Sequence, residues 1–325
     1  MIVPQYWAEG RVQARTKRRQ VTVRRWGWSD VSPEDAQAKA DARARDALAR
    51  LQQGEKVQRR EPKVSYNGAE GLPIREEVLS RHGETVITRN IYGAQCLNTP
   101  DVLFADIDFP DDPGGGLGCL IFLAGTIGAA ALGTRLHSLA CAVGVLAAAL
   151  LAWWGVKAWR RSQAPQRTRQ KETKARGRVE EFARAHPDWH LRLYRTPRGF
   201  RVLVMHRKFD PGEPDVLACF NALSADRVYV RMCQRQRCFR ARVSPKPWRI
   251  GMPAHIKPRP GVWPVKPERM PDRQNWIAKY EQAAGQYASC HFVAALGGSP
   301  VDPEARAVQI LHDDLCRAGT TLPLA

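Results

Sequence analysis

The chain has 325 residues, with 51 Lys and Arg against 32 Asp and Glu, a formal net charge of +19. Its eight cysteines (Cys96, Cys119, Cys141, Cys219, Cys233, Cys238, Cys290 and Cys316) are scattered, which excludes a dense disulfide framework and fits a reducing compartment. The positive charge far exceeds what solubility needs, so an anionic partner is expected: nucleic acid, nucleotide or an anionic lipid surface.

Taken in order, Tyr6 to Trp28 reads as a basic β-hairpin, with alternation in Arg11–Arg15 and again in Gln20–Arg24 and a turn at Thr16–Arg19. The N-terminus lacks a signal-peptide core, so the first domain is expected to stay cytoplasmic. A helix then starts at a cap, Ser32 followed by Pro33 with Asp35 three residues on, and runs to about Gln52 as an Ala-rich surface helix. Glu55 to Ser80 is less regular, with turn signals at Tyr66-Asn67-Gly68 and Gly71-Leu72-Pro73. Strands are expected at Thr85–Arg89 and Ala94–Leu97, with a turn at Asn98-Thr99-Pro100. Val102 to Phe109 is nearly continuous apolar sequence, the pattern of a central strand buried on both faces.

From Leu117 to Val156 the chain carries one charge, Arg135, and one other titratable group, His137. Leu117–Gly133 and Leu136–Val156 match two membrane spans broken at Thr134-Arg135. A single helix over this stretch would be about 60 Å long, twice the hydrocarbon thickness. Gly125, Gly128, Ala129, Gly133, Ala140 and Gly144 would let the two backbones approach, and Trp153, Trp154 and Trp159 suit an interface. The cations that follow, from Lys157 to Arg178, place both termini in the cytoplasm by the positive-inside bias, giving a two-pass inner-membrane protein.

Gln163–Gly177 reads as a basic linker and Arg178–His186 as a short helix. Trp189–Arg195 and Phe200–His206 read as a hairpin around Thr196-Pro197-Arg198-Gly199. Asp215–Leu223 suits a helix, while Arg227–Met232 and Cys238–Val243 suit strands. Ser244–Pro271 is Pro-rich and irregular, and helices are expected over Pro271–Leu296 and Pro303–Arg317.

Three groups carry chemistry. Asp106 and Asp108 share one face of their strand, and paired carboxylates at a strand end can hold Mg²⁺ or Mn²⁺ against phosphates. The hairpin Arg195, Arg198 and Arg201, with His206 at its strand's end, offers cations and turn amides to phosphate oxygens. Asp226 precedes Arg240 and Arg242, which share a strand face, and Lys246 follows at its end. Cys233 and Cys238 are spaced C-x4-C with no second pair close and His255 isolated, so they read as buried thiols and no zinc is expected.

A D-h-D strand, a Gly-turn hairpin leading to a basic position, and a later Asp followed by R-x-R-x-S-P-K resemble the primase-polymerase core of the archaeo-eukaryotic primase superfamily. The resemblance spans Thr85 to Arg249, with the hydrophobic stretch inserted between the first and second motifs. It implies that Asp106, Asp108 and Asp226 bind divalent metal, that Arg201, with His206 nearby, contacts nucleotide phosphate, and that Arg240, Arg242 and Lys246 hold nucleotide or template. Arg201 stands where that family's second motif usually ends in His.

The expected architecture is α+β: a mixed or antiparallel sheet domain with flanking helices and an inserted two-helix transmembrane hairpin. The segments are 1–54 (hairpin and surface helix), 55–116 (first part of the domain), 117–159 (transmembrane hairpin), 160–177 (linker), 178–250 (second part) and 251–325 (Pro-rich segment and terminal helices). The expected function is an integral membrane protein whose domain binds an anionic ligand, a nucleotide or nucleic acid, with metal-assisted phosphoryl transfer at Asp106 and Asp108. The alternative is a non-enzymatic, membrane-anchored module whose basic face meets anionic lipid headgroups or a protein partner.

Overall fold

A computed structural model describes residues 3–15, 20–61, 72–110, 116–136, 139–253, 255–259, 261 and 263–325. The chain divides into two compact units, Met1–Asp108 with Val179–Ala325, and Phe109–Arg178. The fold is α+β with antiparallel sheets.

In the first unit, β1 (Tyr6–Arg15) and β2 (Gln20–Ser29) form a two-stranded ribbon. It is covered by α1 (Pro33–Gln52), whose start is capped by Ser32 Oγ accepting from the Asp35 amide at 3.1 Å. The face that α1 buries is all alanine, Ala36, Ala40, Ala44 and Ala47. Small side chains at helical spacing let the helix lie close against the ribbon. The turn expected at Thr16–Arg19 and the signals at Tyr66-Asn67-Gly68 and Gly71 lie outside the described residues.

Next come β3 (Glu77–His82), β4 (Thr85–Arg89), β5 (Gln95–Thr99) and β6 (Phe104–Asp108). The second unit carries α2 (Gly116–Leu136) and most of α3 (Leu139–Ala185). The chain then forms β7 (Leu191–Thr196), β8 (Gly199–Val204), α4 (Pro214–Leu223), α5 (Arg227–Gln236) and β9 (Phe239–Arg242). It ends with α6 (Met270–Ala284), β10 (His291–Leu296) and α7 (Pro303–Cys316). Two four-stranded antiparallel sheets result, ordered β10-β7-β8-β6 and β3-β4-β5-β9.

Several expectations are corrected. Arg227–Met232 is helical, because Asp226 caps α5 by accepting from the Val228 and Tyr229 amides. The C-terminal part of Pro271–Leu296 is the strand β10, paired with β7. Gln163–Gly177 is helix within α3, rich in helix-favouring Arg, Lys, Gln and Glu despite Pro165. Thr99 ends a strand instead of sitting in a turn, and Glu77–His82 adds an unforeseen strand.

In the second unit, α3 has an apolar portion long and apolar enough to cross a membrane. Large apolar side chains stand exposed on both helices, among them Leu120, Phe122, Leu123 and Ile127 on α2 and Leu139, Val143, Leu150 and Leu151 on α3. The two helices meet at small residues. A Cβ on Gly125 would lie 2.2 Å from the Ala149 Cβ, and Ala129 and Ala149 are buried there.

The strand bearing Asp106 and Asp108 was expected in the middle of its sheet. It lies at the sheet's edge, yet Phe104, Ala105 and Ile107 are fully buried. The start of α5 covers that edge. The Asp226 amide donates to the Asp106 carbonyl at 2.9 Å, and the Tyr229 hydroxyl donates to the Phe104 carbonyl at 2.8 Å. The same hydroxyl accepts from the Arg240 amide of β9 at 3.3 Å, so one phenol joins the edges of both sheets. An apolar run thus marks burial on both faces without marking a central strand. Tyr229→Phe leaves two buried backbone groups unpaired, and it should lower stability by about 1–3 kcal/mol. Denaturation of the purified full chain measures this, and a wild-type midpoint would contradict the bridging role.

Candidate functional site

The register of β6, β8 and β7 puts Asp106, Arg201 and Tyr194 side by side in one row. Side chains in such a row project to the same sheet face. Arg201 is buried and meets Asp106 through two bonds, Nε to Oδ1 at 2.7 Å and Nη2 to Oδ2 at 3.2 Å. Its Nη1 donates to the Arg242 carbonyl at 3.0 Å and faces His312 Nε2 at 3.3 Å. Burial acts to lower the Arg201 pKa, but the Asp106 carboxylate more than reverses this, so the net shift is upward. Arg201 is therefore a fixed cation that holds Asp106 in place.

Asp108 stands two residues on, opposite Gly199. A Cβ on Gly199 would come within 1.9 Å of the Ile107 carbonyl oxygen, so the hairpin turn approaches the acid strand only because this residue is glycine. The Asp108 side chain is exposed and makes no hydrogen bond among the described residues. Although the residue is exposed overall, desolvation of its carboxyl by the neighbouring groups, then the like charges of Asp106 and Asp226, holds it above the usual range against the opposing pull of Lys246 and Arg242. Three acids from β6 and the start of α5 thus converge.

Cations crowd against them. The Lys246 pKa is pushed down to about 8 by burial and by Arg242, Arg249 and Arg198, only partly offset by Asp108. Arg249 is likewise pushed down to about 10, by burial and then Arg242 and Arg198. Arg249 Nη1 and Arg242 Nε are buried with no hydrogen-bond partner. Beside them Tyr92 and Trp248 pack edge to face at 5.3 Å, and Lys246 Nζ lies 5.5 Å over the Trp248 ring, which is half exposed.

Of the residues expected at the site, Asp106, Asp108, Asp226, Arg198, Arg242 and Lys246 come together around Arg201. Arg195, Arg240 and His206 do not. Arg195 sits in the row of Phe200 and Ile107, on the sheet face away from Asp106, and donates to the Thr196 and Gly199 carbonyls of its own turn. Arg240 is buried against Glu76 at 2.6 Å. His206 lies beyond the far end of β8, with its ring 4.8 Å from that of Trp189 and 5.5 Å from that of Phe209. Arg249, Tyr92 and Trp248 were missed, because Pro-rich sequence and an isolated loop Tyr give no periodicity to follow.

Two sulfur sites differ sharply. Cys233 and Cys238 are buried, and burial raises both thiols, Cys238 to about 12. Cys290, His312 and Cys316 form a second cluster, fully buried, with their ligand atoms within 4.8 Å of one another. The hydrogen bond from Cys316, with the positive surroundings of His312 and Arg201, holds the Cys290 thiol well below its ordinary range, while burial pushes Cys316 up. Neither His312 nor Cys316 was singled out from the sequence, although they stand i, i+4 on α7, and Cys290 fell in a segment expected to be helical.

Comparison with known protein families, curated proteins and solved structures finds no match to this chain.

The two acids of β6 should respond differently to amidation. Asp106→Asn leaves the buried Arg201 charge without its counter-ion, which costs about 3–5 kcal/mol. Asp108→Asn relieves like-charge crowding at an exposed position and should stay within about 0.5 kcal/mol of wild type. Parallel denaturation curves read the contrast, and equal losses would contradict the assigned roles.

Proposed function

We propose that this protein is a membrane-anchored, nucleoside-triphosphate-binding protein that performs metal-assisted phosphoryl or nucleotidyl transfer at Asp108. The observation that carries this reading is the convergence of three carboxylates on a group of half-buried cations with unpartnered N–H groups. Crowded like charges and orphaned donors are stabilised by a polyanion. Arg198, Arg242, Lys246 and Arg249 would clamp phosphate oxygens, and the Tyr92–Trp248 pair offers a ring surface for a base.

The acids fit a hard divalent cation. Asp108 has both oxygens open, while Asp106 and Asp226, though engaged by Arg201 and the α5 amides, each keep lone pairs. Mg²⁺ or Mn²⁺ held there would neutralise charge developing on a transferring phosphate. Arg201 acts as a positioning residue through Asp106. The likeness of the Asp106/Asp108, hairpin and Asp226 motifs to primase-polymerases supplies the reaction class.

The anchor is a two-pass hairpin, Leu117–Gly133 and Leu136–Val156, with both termini cytoplasmic and the domain facing nucleotide or anionic headgroups. Exposed apolar side chains on α2 and α3 and the small-residue contact at Gly125 and Ala149 support it. The protein is expected to stay in the membrane pellet through high-salt and alkaline washes and to need detergent for release. Recovery in the washed supernatant would overturn the anchor.

Binding of ATP with Mg²⁺ to the detergent-solubilised full chain, followed by calorimetry, tests the site. Asp108→Asn should lose the Mg²⁺-dependent part of the affinity; equal binding by both proteins would instead favour the non-enzymatic basic-face module. Because Lys246 binds phosphate only while protonated and titrates near 8, affinity should fall as pH rises from 7 to 9. Lys246→Arg should remove that fall, and an unchanged pH profile in this variant would exclude Lys246 as a phosphate ligand.

A further inference from the structure

We infer that Cys290, His312 and Cys316 form a binding site for a thiophilic d¹⁰ metal ion, of which Zn²⁺ is the reference member, tying the start of β10 to the last turn of α7. Cys290 precedes β10, and its neighbour Ser289 donates its amide to the Cys316 carbonyl at 2.9 Å, so this segment is pinned against the end of α7. His312 and Cys316 are four residues apart on α7 and so share one of its faces. All three side chains are fully buried, with their ligand atoms within 4.8 Å of one another.

The histidine is already oriented as a ligand. Its Nδ1 lies 3.0 Å from Asp313 Oδ1, where Nδ1–H can donate to the carboxylate, and loss of the Nε2 proton on metal binding would leave that lone pair turned toward the sulfurs. Asp313 is itself fixed by Arg192 at 3.0 Å. Cys290 Sγ lies 3.9 Å from that Nε2. Two sulfurs and an imidazole nitrogen are the donor set that soft, tetrahedral or trigonal d¹⁰ ions take, and hard ions do not. The site also occupies the C-terminal end of a helix, where the backbone dipole favours a cation.

Arg201 Nη1 faces the same nitrogen at 3.3 Å. Metal on Nε2 replaces that one contact and leaves Arg201 its bonds to Asp106 and the Arg242 carbonyl. Two thiolates balance a divalent ion, so the neighbouring guanidinium keeps Asp106 as its counter-ion. Ligand exchange at this site therefore touches the residue that positions Asp106, while the metal-binding claim itself stands apart from any nucleotide chemistry.

The test uses the reduced, detergent-solubilised full chain. Elemental analysis should find one thiophilic ion per chain after purification with Zn²⁺. Exchange for Co²⁺ should give intense tetrahedral ligand-field bands and a sulfur-to-cobalt charge-transfer band. Cys290→Ser with Cys316→Ser should lose both bands. His312→Cys, which keeps a donor at that position, should retain them with a stronger charge-transfer band. A wild-type chain that takes up no Zn²⁺, Co²⁺ or Cu⁺ overturns the inference without reference to any variant. So does a folded double variant with undiminished bands.

Discussion

A buried guanidinium cannot shed its charge, so the protein around it must supply the counter-charge and the acceptors. Arg201 is that group here. Asp106 takes two of its donors, the Arg242 carbonyl takes a third, and His312 stands at the same nitrogen. These partners come from β6, β9 and α7, two sheets and a helix widely separated in sequence. The strand register that opposes Asp106 to Arg201 thus brings the Arg242 carbonyl of β9 and His312 of α7 to the same guanidinium. Tyr229 performs a related task with a neutral group, joining the β6 and β9 edges through one hydroxyl.

This arrangement divides the labour among three nearby acids. Asp106 is structural in its charge and is held by Arg201. Asp226 spends its oxygens on the first amides of α5, whose N-terminal end points positive potential toward the acids. Asp108 is left exposed, with its charge disfavoured by its neighbours and attracted by Lys246 and Arg242. A mutational test that removes both β6 acids together would therefore mix a folding defect with a binding defect, and Asp108 alone separates them.

Local signals read well where the physics is local. The Ser32 cap, the hairpin around Pro197-Arg198, α4 and α7 all follow from residues within a few positions of one another. The acids and Arg242 were also legible, because D-x-D and R-x-R spacing places side chains on one strand face, though Arg240 is taken up by Glu76. Long-range competition explains the failures. Arg227–Met232 has strand-like alternation, but Asp226 pays for a helix start by capping two amides, and Tyr229 and Met232 then face the core. His291–Leu296 continues a helical pattern in sequence and becomes a strand because β7 offers an open edge. The edge position of β6 was illegible because the group that covers it, α5, is more than a hundred residues away. The Cys290–His312–Cys316 cluster was hidden for a nearer cause: the segment carrying Cys290 was expected to be helical and instead leads into β10.

The uneven charge balance around Asp108 has a consequence for the order in which ligands could arrive. Asp106, Asp108 and Asp226 are faced by Arg198, Arg201, Arg242, Lys246 and Arg249, so cations outnumber carboxylates by two. A bare divalent ion approaching this surface meets net repulsion, while a phosphate chain approaching alone meets attraction except at Asp108. A chelate of the two presents its metal to the carboxylates and its oxygens to the guanidinium groups at once. Under the proposed nucleotide reading, such a surface would favour the preformed ion–polyphosphate complex over either component, a form of coincidence detection arising from the arrangement of fixed charges.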